Sequence, residues 1–186
     1  MIFVLLGCAE LGAVPGLAGL SGGEGAAPEL PTCSTTGPET PAPRACLTGT
    51  LTCGAKVSGT TLGGDSLWDD DFYAAAFCFP SGGHHSGAER VYTLTAPANT
   101  QVTIRMVSTC VDLDLVAVGW DYDGACPTAK HLVPDCEADV SRLNGSLRIQ
   151  AFHEREYLVG IDGKDGAVGP YELSVECVPL RTPDPG

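Results

Sequence analysis

Gln101-Val102-Thr103-Ile104-Arg105-Met106 puts an apolar side chain at every second position and a polar one between. A strand turns successive side chains to opposite faces, so this stretch reads as a strand with one face buried and one in water. The alternation returns along the chain. Leu113, Leu115 and Ala117 share a face opposite Asp112 and Asp114, and Leu147, Ile149 and Ala151 alternate with Ser146, Arg148 and Gln150. Tyr157, Val159 and Ile161 form another inward row, and Tyr171, Leu173 and Val175 oppose Glu172, Ser174 and Glu176. Cys177 falls on the face of Tyr171, where a buried disulfide belongs. Turn residues separate the runs at Ala96-Pro97-Ala98-Asn99, Asp123-Gly124, Asn144-Gly145, Asp162-Gly163 and Asp165-Gly166. No segment keeps a helical period with caps. Strands with one apolar face need a second sheet to cover them, which predicts an all-β, antiparallel, jelly-roll-like β-sandwich.

Composition agrees. Charged residues make up 18% of the 186, against 24 Gly and 14 Pro, a balance that suits short strands and turns. The net charge of −13, with only 10 Lys and Arg, excludes a nucleic-acid partner, whose phosphates are held by cations. It also disfavours docking of the protein surface on anionic lipid. No stretch reaches the roughly 18 apolar residues of a membrane-spanning helix.

Nine cysteines with no Cys-x-x-Cys spacing point to disulfides in an oxidising compartment rather than to zinc. The odd one is Cys8. Ile2-Phe3-Val4-Leu5-Leu6-Gly7-Cys8 resembles the lipobox of bacterial lipoproteins, in which the cysteine carries a lipid anchor. Setting it aside leaves eight, enough for four bridges. Spacing suggests Cys33–Cys46 and Cys126–Cys136 as local bridges, with Cys53, Cys78, Cys110 and Cys177 stapling the sandwich. The segment before Cys8 lacks the basic residues and length of a secretory leader. Three readings stay open: a lipoprotein signal whose start lies upstream, a cleaved leader running towards Leu20, and no export signal. No Asp directly follows Cys8, so a lipidated chain would go to the outer membrane or cell surface.

The organisation follows: residues 1–8 a lipoprotein-type signal, 9–46 a Gly/Pro-rich linker, 47–178 the sandwich and 179–186 a tail.

Several stretches resemble, in order, the bacterial pre-peptidase C-terminal domain, as found in cysteine-rich surface proteins of myxobacteria-like organisms. They are Glu89-Arg90-Val91-Tyr92-Thr93-Leu94-Thr95-Ala96-Pro97-Ala98, Val102-Thr103-Ile104, Val111-Asp112-Leu113-Asp114-Leu115-Val116, Glu156-Tyr157-Leu158-Val159-Gly160-Ile161-Asp162-Gly163 and Gly169-Pro170-Tyr171-Glu172-Leu173-Ser174-Val175. The resemblance covers about residues 50–177 and implies a non-catalytic β-sandwich of the kind appended to exported enzymes, some relatives of which bind calcium or collagen. Asp112 and Asp114 match the family's Asp-x-Asp strand. On one face of a strand they could share a hard cation, with Asp121 and Asp123 adding oxygens. Otherwise these carboxylates face solvent or hydrogen-bond a turn. Asp69-Asp70-Asp71 offers further oxygens or is a solvated loop.

Other motifs are weaker. Gly64-Asp65-Ser66-Leu67 spells a signature of one esterase family, but none of His84, His85, His131 and His153 has the Asp three residues before it that the family's base carries. His84-His85 lies in a Gly/Ser-rich stretch and reads as an exposed loop. Trp68, Phe72, Tyr73, Phe77 and Phe79 either cap the sandwich or form an exposed stacking surface; burial is favoured. The leading expectation is a non-catalytic surface lipoprotein, held by lipid on Cys8, with a binding or structural sandwich. The alternative is a calcium-stabilised adhesion or carbohydrate- or protein-binding module, and the remote one an esterase acting through Ser66.

Overall fold

A computed structural model describes Thr40 and residues 46–76, 84–122, 127, 130–131, 135–139 and 144–180. Strands dominate. Sheet A runs β1(Leu47–Leu51), β3(Arg90–Ala96), β8(Arg155–Gly163), β5(Leu113–Gly119), β6(Cys136–Asp139) from edge to edge. Sheet B runs β2(Lys56–Thr60), β9(Pro170–Pro179), β4(Thr100–Val107), β7(Asn144–Ala151). Val102, Ile104 and Met106 of sheet B meet Leu94, Leu113, Leu115, Val159 and Ile161 of sheet A in one buried core. Tyr171, Leu173 and Val175 join them, so the inward rows read from alternation are the inward rows of the fold.

The sandwich departs from a purely antiparallel one at its edge. β1 pairs with β3 in parallel, the register shifting between Leu47 and Gly49. The other named pairs are antiparallel.

The turn at Asp165-Gly166 is real: both residues have positive φ (51° and 76°), the geometry of a tight primed turn. Two other expected turns are not turns. Asn144-Gly145 begins β7, opposite Val107 and Met106, and Asp162-Gly163 ends β8. Glycine serves close approach there. A Cβ on Gly145 would press on Leu115, and one on Gly163 would run into the Ala167 carbonyl.

Sheet A is also covered on its outer face, which alternation alone did not foresee. All seven residues of β5 are buried. Val91, Val116, Val118 and Leu158 form a second apolar cluster with Trp68, Phe72, Tyr73, Ala76 and Trp120. The cover includes a helix, α1(Asp70–Ala76), where a loop was expected. Asp69 caps it: its carboxylate accepts the Phe72 amide at 2.9 Å, and Asp70 and Asp71 lie in the first turn, where the exposed amides favour negative charge. The acidic run is thus a helix start. The favoured burial of the aromatics holds for Trp68, Phe72 and Tyr73; Phe77 and Phe79 lie outside the described residues.

Cys53, in the turn after β1, is bonded to Cys177 of β9, 124 residues away. Cys46, Cys110 and Cys136 are oxidised too. The expected Cys33–Cys46 and Cys126–Cys136 bridges, and any bridge of Cys78, each involve a residue outside the described ones, as does the expected anchor Cys8.

Candidate functional site

A dense polar cluster lies between α1 and the outer face of sheet A. Asp114 and Asp162 occupy the same face as Val116 and Leu158, and they stand directly opposite each other in the β5–β8 ladder. Both are completely buried. Tyr73, from α1, donates its hydroxyl to Asp162 Oδ2 at 2.6 Å, and the Gly163 amide donates to Oδ1. His85 lies over them: its Nε2 is 3.2 Å from Asp114 Oδ2 and its Nδ1 3.2 Å from Asp70 Oδ1. The His85 amide also donates to Asp70 Oδ1. Lys164 Nζ reaches Asp114 Oδ2 at 3.2 Å from the other side. Glu89, just before β3, accepts the Leu67 amide at 2.6 Å and so ties the Trp68 segment to the sheet.

Burial sets the protonation here. It lifts the Glu89 carboxyl to about 7 and that of Asp162 to about 6, against the pull of the amide and hydroxyl donors. Burial would lower His85, but the hydrogen bonds to Asp114 and Asp70 outweigh it and raise the imidazole above 6.5. Asp70 is held below its usual value, chiefly by the His85 amide. The Tyr73 hydroxyl is pushed well up by burial and by Asp162.

His85 is therefore the main correction to the sequence reading. The expected exposed pair is split by strand geometry: His84 faces water, while His85 bridges to Lys164 and its ring is buried. Sequence offered one signal, the uncompensated Asp114 and Asp162 within otherwise apolar runs. A buried carboxylate needs a donor.

The esterase constellation does not assemble. Ser66 Oγ donates to the Gly87 carbonyl at 2.8 Å and approaches that of Ser86. Both His85 ring nitrogens face carboxylates. His131 stacks with Trp120 and Tyr122, and His153 is exposed in the β7–β8 turn.

Nor do the expected calcium ligands converge. Asp114 lies near one end of β5 and Asp121 beyond the other, about 20 Å apart at the rise of a strand. Asp121 pairs with Arg155 at 2.9 Å, and Asp123 lies outside the described residues. Asp112 Oδ1 and Asp114 Oδ1 are buried without hydrogen-bond partners. Among the described residues, however, no group of three or more His, Cys, Asp or Glu is set to hold a metal. Asp114 instead has His85 and Lys164 as its cations.

A second polar feature is a cleft of about 250 Å³ lined by Asp135, Glu137, Arg148, Gln150 and Tyr157 among others. Asp135 is tied to Arg155 at 2.9 Å and accepts the Tyr157 hydroxyl at 3.1 Å.

The described elements define a disulfide-bonded β-sandwich with a largely buried polar cluster between α1 and the outer face of sheet A. No family model matches the chain, and no curated protein matches it. Among solved structures it is similar to the pre-peptidase C-terminal domain of a collagenase from Bacillus anthracis, with a TM-score of 0.42, 14% identity, and coverage of 69% of this chain and 94% of that one. It is also similar to PliG of Aeromonas hydrophila, a periplasmic inhibitor of g-type lysozyme (TM-score 0.38, 13% identity, 70% and 97% coverage). A third is CorA, a surface-associated copper-binding protein of Methylomicrobium album BG8 (TM-score 0.42, 7% identity, 70% and 98% coverage). Among the described residues no helix is long and apolar enough to cross a membrane.

Proposed function

We propose that the chain is a non-catalytic surface lipoprotein, anchored by lipid on Cys8, with residues 9–46 as spacer and a pre-peptidase C-terminal-like sandwich as a binding or structural module. The observation that carries this reading is the oxidised state of Cys53 and Cys177, with Cys46, Cys110 and Cys136 also bonded. Such cysteines belong outside the reducing cytoplasm. The non-catalytic part is supported by chemistry: the cluster's buried histidine, His85, is clamped by two carboxylates, and Ser66 is turned to main-chain carbonyls. A base that is already saturated cannot activate a hydroxyl. The polar cleft beside Arg148 offers room for a small hydrogen-bonding group of an extracellular protein or polysaccharide.

The anchor is tested by expressing the chain behind a functional export leader that keeps residues 2–8 intact. Mass spectrometry is expected to find diacylglycerol on an N-terminal Cys8, with the protein in the membrane fraction. Cys8→Ser is expected to move it to the soluble fraction. A mature N-terminus beyond residue 8 would refute the anchor and leave the exported sandwich standing.

The calcium-stabilised alternative has its own test. Because Asp112, Asp114 and Asp121 do not gather around one point, calcium or EDTA is expected to leave the melting temperature unchanged. A rise of several degrees with calcium would restore that alternative.

A further inference from the structure

Three buried carboxylates meet under a small cover, with a fourth, exposed one at its rim. Asp114 and Asp162 project from β5 and β8, Glu89 from the start of β3, and Asp70 from α1. The cations facing them are His85 and Lys164, while exposed His84 stands 3.9 Å from Asp70. Arg90 is the residue after Glu89 but turns to the opposite face, where it donates to the Thr60 and Leu62 carbonyls. Tyr73 adds a hydroxyl and no charge. With Asp114, Asp162 and Glu89 all ionised, three buried negative charges face His85 and the partly exposed Lys164. Two of the oxygens, Glu89 Oε2 and Asp114 Oδ1, are buried with no hydrogen-bond partner. A buried, unpartnered carboxylate is costly when ionised and much less so when protonated.

The same groups fasten the cover. α1 is held through Tyr73–Asp162, the segment at 84–89 through His85–Asp114, and the Trp68 segment through Leu67–Glu89. Beneath lie Val91, Val116, Val118 and Leu158. The fastenings and the excess charge are one set of atoms.

We propose that α1 and the 84–89 segment form a pH-responsive cover, held shut over the outer face of sheet A in mildly acid surroundings and loosened above neutrality.

The signs agree. Glu89 and Asp162 bind protons more tightly in the closed form than their ordinary values of 4.5 and 3.8 would give. Their contribution is complete below those values and is lost as pH rises through about 6 for Asp162 and about 7 for Glu89. His85 is raised as well, so its contribution is complete below 6.5 and is lost as pH rises through its higher closed-form value. Asp70 opposes them at the acid end. Its contribution is present above 3.8 and is lost as pH falls through its lowered value. The cover is tightest in the mildly acid range.

Hydrogen exchange on the full chain tests this, with protection corrected for the intrinsic pH dependence of amide exchange. Between about pH 6 and 8 the opening constant of peptides in 68–76 and 84–90 is expected to rise at least about tenfold, one proton giving a factor of ten per pH unit. Peptides of β4 and β7 serve as the reference and are expected to keep their protection. Glu89→Gln and Asp162→Asn remove the titrating groups and are expected to flatten the dependence. Constant corrected protection of the wild-type cover would overturn the proposal, as would loss shared equally by β4 and β7. The wild-type series decides even if a variant fails to fold.

Discussion

Replacing Cys53 and Cys177 together by Ala is expected to lower the unfolding free energy by about 3–5 kcal/mol. The two are 124 residues apart in sequence and hold the turn before β2 against β9. Without the bond the unfolded chain regains the freedom of a very long loop, which is the main source of disulfide stabilisation in the chain-entropy account. The other oxidised cysteines already restrain that chain, which places the effect below the full value for so large a loop. Cys177 packs against the core, so its truncation also removes contact. Urea unfolding of both proteins under oxidising conditions measures the difference. A loss under about 1 kcal/mol would mean that the other bridges alone restrain the unfolded chain.

Trp68→Ala is expected to cost a similar amount, about 3–5 kcal/mol. The indole is 1% exposed and packs on Phe72 at 4.9 Å and edge-on to Tyr73 at 6.2 Å. It lies over Gly160 of β8, where a Cβ would run into the ring. Tryptophan and glycine thus form one lock between the cover and sheet A. Gly160→Ala is expected to cost about 1–3 kcal/mol by overpacking, and most of that cost is expected to disappear when Trp68 is already Ala. Four unfolding curves close the cycle. Simple additivity would show that Gly160 is not held small by Trp68.

Much of the sandwich was legible because it rests on period two. Val102-Ile104-Met106 and Tyr171-Leu173-Val175 each stand opposite a polar face, exposed but for Thr103 and half-buried members, so alternation fixes their orientation. β5 and β8 were harder. Leu115-Val116-Ala117-Val118 and Leu158-Val159-Gly160-Ile161 are continuous apolar runs, the mark of strands covered on both sides. Reading only their inward rows hid the layer outside. α1 was missed because seven residues are too few to show a helical period, and its cap Asp69 sits in an acidic run that looks like a solvated loop. Asn144-Gly145 misled for another reason: the dipeptide favours turns, but here glycine makes space for Leu115. The polar cluster depends on partners from four separate segments, and no local pattern brings His85 to Asp114. What could be read was the anomaly of acids amid apolar runs.

The last described strand sits inside sheet B. β9 lies between β2 and β4, and its Cys177 bonds the first cysteine after β1. On the export route proposed above, a chain threaded through a membrane from its N-terminus delivers β2 and Cys53 well before the strand they pair with. During that interval Cys53 meets other thiols first, and sheet B has only its β4–β7 pair, with β2 left apart from it. On that route biogenesis of this domain is a problem of order of arrival: early partners have to be exchanged for the late one, and correct maturation would depend on thiol exchange in the receiving compartment.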